Sequence, residues 1–175
     1  MDLSRPVAPD PYAQLPAVPS FALTSDDVAD GQTIAEPFTG AEDISPQLSW
    51  AGCPSSSRSF LVTCFDPDAP RPGGFWHWTV LNLPVTTTSL PKGAGAPDGS
   101  ALPDGAIQTT NDGGTVGYTG AYPPRGDRVH RYFFAVHALD VDRLDVQPSA
   151  APAAVALAAL PHTIARAVIV PVFQR

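Results

Sequence analysis

Two stretches of the sequence have the hydrophobic pattern of strands at the centre of a sheet. Residues 59–65 are apolar at both odd and even positions, which is typical of a strand covered on each face, and the run ends at Asp66. In residues 130–139, the even-numbered positions form one face and the odd-numbered positions form the other. Both stretches are therefore predicted to be central strands.

Shorter apolar runs between turn residues predict further strands. Residues 21–24 and 33–35 flank an acidic turn and are predicted to pair as a hairpin. Residues 45–50, 78–83 and 166–173 are also predicted to be strands, and the last of these closes the domain. Residues 92–105 are rich in Gly, Ala, Pro and Asp without periodicity, and predict a long surface loop.

One α-helix is predicted near the end of the sequence. Ser149 can cap it, Pro152 suits its first turn, and an Ala-, Leu- and Val-rich run continues to about Ala165, with a kink or shortening at Pro161. The predicted fold is mostly β: a β-sandwich of antiparallel-rich sheets with a C-terminal helix and short peripheral helices. Residues 1–19 predict an extended N-terminal arm, and residues 20–175 a single domain.

The composition narrows the class of protein. A hydrophobic fraction of 43% in 175 residues is enough for a core, and a formal charge of −7 argues against a nucleic-acid-binding protein, which needs a basic face. Residues 1–20 lack the apolar centre of a secretory signal, and no later run is long enough to span a membrane, so a cytoplasmic location is predicted. Cys53 and Cys64 are accordingly predicted to be reduced, buried thiols.

Candidate chemistry follows the first central strand. Residues 66–70 (Asp-Pro-Asp-Ala-Pro) begin where that strand ends, and loops at strand ends commonly line binding pockets. The alternative, which the residues leave open, is a simple turn in which Asp66 and Asp68 accept hydrogen bonds from backbone N–H groups. His77 lies between two tryptophans, and is either a pocket residue or part of the core.

A second polar group lies at the start of the other central strand. Residues 123–126 (Pro-Pro-Arg-Gly) predict a rigid loop, and His130 and Tyr132 follow on one strand face, with Cα atoms about 7 Å apart. An imidazole and a phenol at this spacing can share one small anion. The chain has no Gly-x-Ser-x-Gly elbow, Walker loop, dinucleotide fingerprint or HExxH pair, which removes the commonest enzymatic motifs.

Taken together, these motifs resemble the phosphatidylethanolamine-binding protein family, in its bacterial Raf-kinase-inhibitor-like branch and especially its actinobacterial members. The resemblance runs from about residue 20 to residue 175. It is carried by residues 45–50 (Ser-Pro-Gln-Leu-Ser-Trp), residues 66–70, His77-Trp78 with Asn82, Gly117-Tyr118, Pro123-Pro124 with Gly126, and residues 130–133 (His-Arg-Tyr-Phe), and the arm adds Asp10-Pro11-Tyr12.

The resemblance implies a pocket that binds a small anion, such as phosphate, acetate or a phospholipid head group. No metal and no cofactor are expected. The implied ligand-binding residues are Asp66, Pro70, His77, Pro124, His130 and Tyr132, with Asp68 beside them and Tyr122 offering its backbone N–H. One departure concerns the rim. Bacterial relatives commonly carry Gly-Pro-Cys-Pro-Pro where this chain has Gly-Ala-Tyr-Pro-Pro at residues 120–124, so the ligand preference is expected to differ.

Four further hypotheses remain. An enzyme would use Asp66 or Asp68 to polarise His77 or His130 as a general base, with Tyr132 as the acid, on a small carbonyl or ester. A metal site would draw Zn²⁺ or Mn²⁺ ligands from Asp66, Asp68, His77 and His130. Bacterial relatives and the apolar C-terminal helix also suggest a homodimer, and modulation of a protein partner is a further expectation, although the sequence identifies no partner surface.

Overall fold

The computed structural model of the protein describes residues 3–175. Its strands and its α-helix follow in chain order: β1 (Ala22–Thr24), β2 (Leu48–Ala51), β3 (Ser59–Asp66), β4 (Phe75–Pro84), β5 (Ser89–Leu90), β6 (Ile107–Gln108), β7 (His130–Arg131), β8 (Phe133–Leu139), α1 (Pro152–Ala159), β9 (Thr163–Ile169) and β10 (Val172–Phe173). Two short 3₁₀ helices, Glu36–Phe38 and Leu160–His162, complete these elements.

The strands form three antiparallel sheets. The largest has the order β6-β4-β3-β8-β9, the second has the order β1-β2-β5, and the smallest pairs β10 with β7. β3 and β8 lie side by side in the middle of the five-stranded sheet, which confirms that both are central strands. The fold is mostly β with a helix near its C-terminal end, as the sequence predicts.

The main core lies between the five-stranded and the three-stranded sheets. Even-numbered residues of β3, such as Val62 and Cys64, pack there against Leu48 and Trp50 of the smaller sheet. On the opposite face, Leu61 of β3 contributes to a second cluster that α1 covers with its buried residues, among them Val155. β3 is apolar on both faces because each face has its own covering layer.

The predicted hairpin between residues 21–24 and 33–35 is wrong. β1 pairs with β2 instead, and Thr33 forms a parallel bridge with Val172. The acidic turn does not reverse the chain onto itself, because Asp27 accepts a hydrogen bond from the Gln47 N–H at 2.8 Å and so ties the turn to the segment entering β2. Runs this short contain too little pattern to specify their partners.

Two predicted strands are each divided in the structure. The strand expected over residues 130–139 breaks at Tyr132, whose N–H donates to the carbonyl of Pro171 at 2.9 Å. The closing strand expected over residues 166–173 breaks at the same Pro171, which has no N–H to give to a ladder. The two breaks allow β7 and β10 to leave the large sheet and pair with each other.

The C-terminal helix is shorter than predicted. α1 ends at Ala159 instead of continuing to about Ala165, and the chain tightens into the 3₁₀ helix containing Pro161 before β9 begins. Ser149 does not cap the helix: the N-cap residue is Ala151, and Pro152 occupies the first turn. The helix therefore starts at a proline with favourable φ without a side-chain cap.

Residues 3–19 form no strand or helix, and a turn at residues 11–15 interrupts their course. The first two residues of the predicted arm, Met1 and Asp2, lie outside the described residues. Cys64 is a buried free thiol, but Cys53 is free and only half-buried, so the expectation that both thiols are buried is wrong for Cys53.

Candidate functional site

The candidate site lies at one end of the five-stranded sheet. Because β3 is antiparallel to both neighbours, the end of β3 meets the starts of β4 and β8 at the same edge. Asp66 is the last residue of β3, His77 is near the start of β4, and β7 with Tyr132 leads into β8. The sheet topology thus assembles side chains that are far apart in the sequence.

A β-bulge turns His77 towards this site. Cys64 of β3 pairs with Trp78, whereas the next residue, Phe65, pairs with Trp76, so His77 is the extra residue in β4. Bulges of this kind redirect side chains and are frequent beside functional sites. His77 and Trp78 consequently face the sandwich interior, while Trp76 lies over Phe65 with ring centroids 4.5 Å apart.

His130 is held between two carboxylates. Its Nδ1 lies 2.7 Å from Asp66 Oδ2 and its Nε2 lies 3.0 Å from Asp127 Oδ2, and all three side chains are buried. Burial alone would lower the pKa of His130, but the hydrogen bonds to Asp66 and Asp127 outweigh it and raise the pKa. A protonated imidazole donates from both nitrogens, so this arrangement is that of an imidazolium between two anions.

Two arginines neutralise the remaining carboxylates around His130. Arg5, from the N-terminal arm, donates to both oxygens of Asp127 at 2.8 Å and thereby lowers the pKa of that carboxyl. Arg131 binds both oxygens of Asp68 at 2.7 and 2.8 Å; burial would raise the pKa of Asp68, but this pairing outweighs it and lowers the pKa. Each carboxylate of the network is therefore matched by a cation.

His77 and Tyr132 differ from His130 because neither is paired with a carboxylate. His77 Nδ1 lies 2.8 Å from the carbonyl oxygen of Thr119, which can only accept, so Nδ1 carries the proton. Burial lowers the pKa of His77 more than this hydrogen bond raises it, which leaves a neutral ring with an accepting Nε2. The ring centroids of His77 and Tyr132 are 5.1 Å apart in an edge-to-face arrangement.

The Tyr132 hydroxyl is the unusual polar group of the site. The side chain is 1% exposed, and its hydroxyl has no hydrogen-bond partner among residues 3–175. Burial, followed by the negative charge of Asp66, raises its pKa, so the hydroxyl stays protonated and is an available donor. Buried hydroxyls normally have a partner, which makes this one a marker for a ligand or an ordered water.

These side chains line a cavity of about 340 Å³, within the size range of small-molecule sites. Seven of the eight sequence-predicted ligand-binding residues line it: Asp66, Pro70, His77, Tyr122, Pro124, His130 and Tyr132. Asp68 does not line it, because its carboxylate turns away to Arg131. The ring of Tyr122 stands at the rim, 64% exposed, with the Arg175 guanidinium 3.5 Å above it.

Two residues of the network were missed from the sequence. Asp127 lies three positions before His130 in a loop, and its charge could have been noticed there as a second partner for the imidazole. Arg5 lies 122 positions from Asp127, in the arm but outside its Asp10-Pro11-Tyr12 motif, and no local signal points to it. Both became evident only from the folded arrangement.

The residues proposed as metal ligands are not arranged as a metal centre. Both nitrogens of His130 are occupied by carboxylates, and Asp68 is bound to Arg131. Across residues 3–175 there is no group of three or more His, Cys, Asp or Glu side chains placed to hold a metal ion. Nor does any helix in this range have the length and apolar character needed to cross a membrane.

Fold, strand-end cavity and sequence motifs are together those of the phosphatidylethanolamine-binding protein family. The sequence pattern of the family described as "Phosphatidylethanolamine-binding protein" matches residues 24–174, so the chain belongs to this family. The family resemblance inferred from the motifs is thereby confirmed, while the particular likeness to actinobacterial members stays a prediction.

Within the family, the chain is similar to two proteins of Escherichia coli (strain K12). UPF0098 protein YbhB is 45% identical over 158 residues, which cover 87% of this chain and 99% of that protein. UPF0098 protein YbcL is 42% identical over 161 residues, which cover 89% and 88% respectively. These relatives place the chain in the bacterial branch.

Solved structures agree with the fold. The crystal structure of Escherichia coli YbcL, described as a new member of the mammalian PEBP family, matches with a TM-score of 0.87 at 40% identity, covering 89% of this chain and 99% of that one. A phosphatidylethanolamine-binding protein from Plasmodium vivax, at 14% identity and a TM-score of 0.61, covers 94% of this chain and 90% of that one, and shares the fold.

Proposed function

We propose that the strand-end cavity binds a small anion, namely a phosphate group, either free or in a phospholipid head group. The observation that carries the proposal is the hydroxyl of Tyr132, a residue of the cavity lining: the hydroxyl is buried and has no partner within residues 3–175. A protonated phenol can donate to a phosphate oxygen, and a bond of this charge-assisted kind is stronger than one between neutral groups.

The electrostatics of the wall are compatible with an anion. The charge of Asp66 is balanced by His130, and that of Asp127 by Arg5, so the carboxylates near the cavity do not present a net negative charge. Arg71 also lines the cavity. Its side chain is 46% exposed, contacts Asp112 at 3.5 Å and lies 5.5 Å from the ring centroid of Phe75, and it can add a cation at the rim. We assign a further donor role to the backbone N–H of Tyr122.

His77 makes binding dependent on pH. Its Nε2 accepts a proton when the ring is neutral, so a phosphate oxygen opposite it must share a proton with the ring. Binding a negative ligand raises the pKa of His77 above its lowered value in the free protein, and binding therefore takes up a proton. Phosphate affinity is expected to increase as the pH falls from about 8 to about 6.

The test is calorimetric titration of inorganic phosphate into the wild type and into Tyr132→Phe. The variant keeps the ring and loses only the donor, so phosphate affinity is expected to fall about tenfold or more. Tyr12→Phe is the matched control, because the Tyr12 hydroxyl contacts Thr63 at 3.3 Å, away from this cavity, and its removal should leave phosphate affinity unchanged.

Equal phosphate affinity of the wild type and Tyr132→Phe would contradict the proposal. Phosphorylethanolamine and vesicles containing phosphatidylethanolamine distinguish the two sources of the anion. A head-group site predicts that phosphorylethanolamine binds more tightly than phosphate and competes with the vesicles, whereas a free-phosphate site predicts no gain from the ethanolamine.

Acid–base catalysis by the same residues has less support. His130 would have to break a hydrogen bond to one of its carboxylates before it could exchange a proton with a substrate, which leaves only His77 as a base. We therefore propose binding rather than turnover. Homodimerisation and modulation of a protein partner stay predictions, and light scattering tests the first of them.

A further inference from the structure

A second cavity, of about 330 Å³, is lined by Phe65 and Trp76, which are the chain neighbours of Asp66 and His77 in the anion cavity. The N-terminal arm, the five-stranded sheet and the helix α1 all contribute to its walls. The walls are mainly apolar, with Leu15 from the arm, Phe65 and Trp76 from the sheet, and Leu157 and Leu160 from the helical segment. Leu157 is 71% exposed, so it marks a rim that is open to solvent.

Arg166 supplies the one cation among the lining residues. Arg166 is 9% exposed, and its guanidinium lies 4.5 Å from the ring centroid of Tyr12. Its Nε donates to His137 Nδ1 at 3.3 Å. The ion pairs found within residues 3–175 do not include Arg166.

This lack of a counter-ion sets Arg166 apart from the arginines of the anion-site network. Arg5 and Arg131 are both more exposed than Arg166, and each binds both oxygens of a carboxylate. Burial lowers the pKa of Arg166, and the nearby charge of Asp10 opposes this without forming an ion pair. A buried guanidinium without a carboxylate is costly, because its desolvation is not offset.

His137 does not neutralise this charge, but it can assist a ligand. Burial, followed by the charge of Arg166, lowers the pKa of His137 to about 3, so the ring is neutral at pH 7. Since Nδ1 accepts from Arg166, the proton of the neutral ring is on Nε2. The cavity thus combines a cation and an N–H donor with apolar and aromatic walls.

We infer that this cavity binds a small carboxylate with an apolar body, whose carboxylate pairs with Arg166 while its hydrocarbon lies against Phe65, Trp76 and the helix. A carboxylate matches the planar guanidinium with two hydrogen bonds and supplies the missing counter-charge. The volume is near the lower end of the range for small-molecule sites, roughly 300–1,000 Å³, and limits the body to a short chain or a single ring.

The probe is octanoate, with octanol as its uncharged analogue, titrated by calorimetry and by tryptophan fluorescence, to which Trp76 in the cavity wall contributes. Octanoate is expected to bind once per chain, and Arg166→Leu is expected to reduce its affinity about tenfold or more while octanol binding is kept. Arg166 has no carboxylate partner in the described part of the chain, so its removal leaves no buried charge uncompensated, and this variant should fold. Arg58→Leu, which removes an exposed cation elsewhere, is the matched control.

A second variant tests the cavity without touching the charge. Ala156→Phe places a ring from α1 into the space, and is expected to abolish binding of both octanoate and octanol while phosphate binding remains. The inference is overturned if millimolar octanoate does not bind, if Arg166→Leu binds octanoate as the wild type does, or if phosphate displaces octanoate. The inference is also overturned if the protein is a dimer in which a second copy fills the cavity and excludes octanoate.

Discussion

His130 is better suited to organising the site than to touching a ligand. Both of its nitrogens are engaged by carboxylates at 2.7 and 3.0 Å, so its charge serves to keep Asp66 and Asp127 close together in a buried region. The groups left for a ligand are the Tyr132 hydroxyl and Nε2 of His77. Residues that share one motif therefore divide into those that build the wall and those that face the ligand.

Asp127→Asn is expected to be strongly destabilising. The buried carboxylate binds Arg5 and His130 together, and removing its charge leaves both cations without that partner, at a cost of roughly 3 kcal/mol. Urea unfolding at pH 7 measures the change. Asp142→Asn is the control, because Asp142 and Arg58 form an exposed pair worth less than about 1 kcal/mol. Similar losses in the two variants would contradict the role assigned to Asp127.

His137 should make the fold less stable in acid. In the unfolded chain it binds a proton near its ordinary pKa of 6.5, whereas in the folded protein it stays neutral down to about pH 3. The unfolded state therefore gains protons first, and the free energy of unfolding falls by roughly 2 kcal/mol from this residue between pH 7 and pH 5.

The variant His137→Gln should lose this part of the pH dependence. His162→Gln, at a half-buried residue next to Asp140, is the matched control and should follow the wild type. Urea unfolding at the two pH values compares them. An equal drop for the wild type and His137→Gln would show that His137 does not stay neutral in the folded state.

The end of β3 and the start of β4 contribute residues to both cavities. Owing to the bulge, Asp66 and His77 line the anion cavity, while their neighbours Phe65 and Trp76 line the second cavity. The loop whose Thr119 carbonyl accepts the hydrogen bond from His77 is held in place by Asp43. The Asp43 carboxylate accepts a hydrogen bond from the Gly120 N–H at 2.6 Å. One irregularity in a strand pair therefore contributes to the walls of two different cavities.

Gly120→Ala should disturb this loop. A Cβ atom at Gly120 would lie 2.1 Å from the carbonyl carbon of Thr39, a backbone atom that cannot move independently. We expect a loss of about 1–3 kcal/mol in the free energy of unfolding, together with weaker phosphate binding. Gly113→Ala is the milder control, because its nearest contact is a side-chain oxygen of Asn111 at 3.0 Å. If both variants unfold alike, close packing at Gly120 is not the cause.

The N-terminal arm contributes residues to the surroundings of both cavities. Arg5 neutralises Asp127 behind the anion cavity, and Tyr12 covers Arg166 in the second one. Further hydrogen bonds join the arm to the domain, from Arg131 to the carbonyl of Ala8 at 2.7 Å and from Arg128 to the carbonyl of Arg5. The arm is thus a structural part of the wall behind the sites, held mainly by polar contacts.

Arg5→Ala is predicted to weaken phosphate binding at a distance. Without the guanidinium, Asp127 adds an unbalanced negative charge behind His130, and phosphate affinity is expected to fall several-fold, on the order of what one partly screened charge produces. Calorimetry at low salt measures the effect, and added salt should reduce it. Arg58→Ala is the control at an exposed pair. An unchanged affinity in Arg5→Ala would mean that the arm does not influence the site.

The sequence by itself determined the two central strands, the family and most of the cavity lining. Residues 59–65 are apolar on both faces, which indicates a strand in a sheet that is covered by another layer on each face. The motifs around Asp66 and His130 sit at strand ends, where antiparallel pairing brings them together. These properties are local, or follow from pairing rules, and so can be inferred from residue order.

Tertiary structure alone decided how the charges are paired. Asp68 belongs to the same short motif as Asp66, yet it binds Arg131, while Asp127 and Arg5 complete the surroundings of His130. The partners Asp68 and Arg131 are 63 positions apart, and Arg5 and Asp127 are 122 positions apart. Three-dimensional packing and the need to balance buried charge select such partners, and neither produces a periodic pattern in the sequence. The uncompensated charge of Arg166, from which a second ligand site is inferred, belongs to the same class of information.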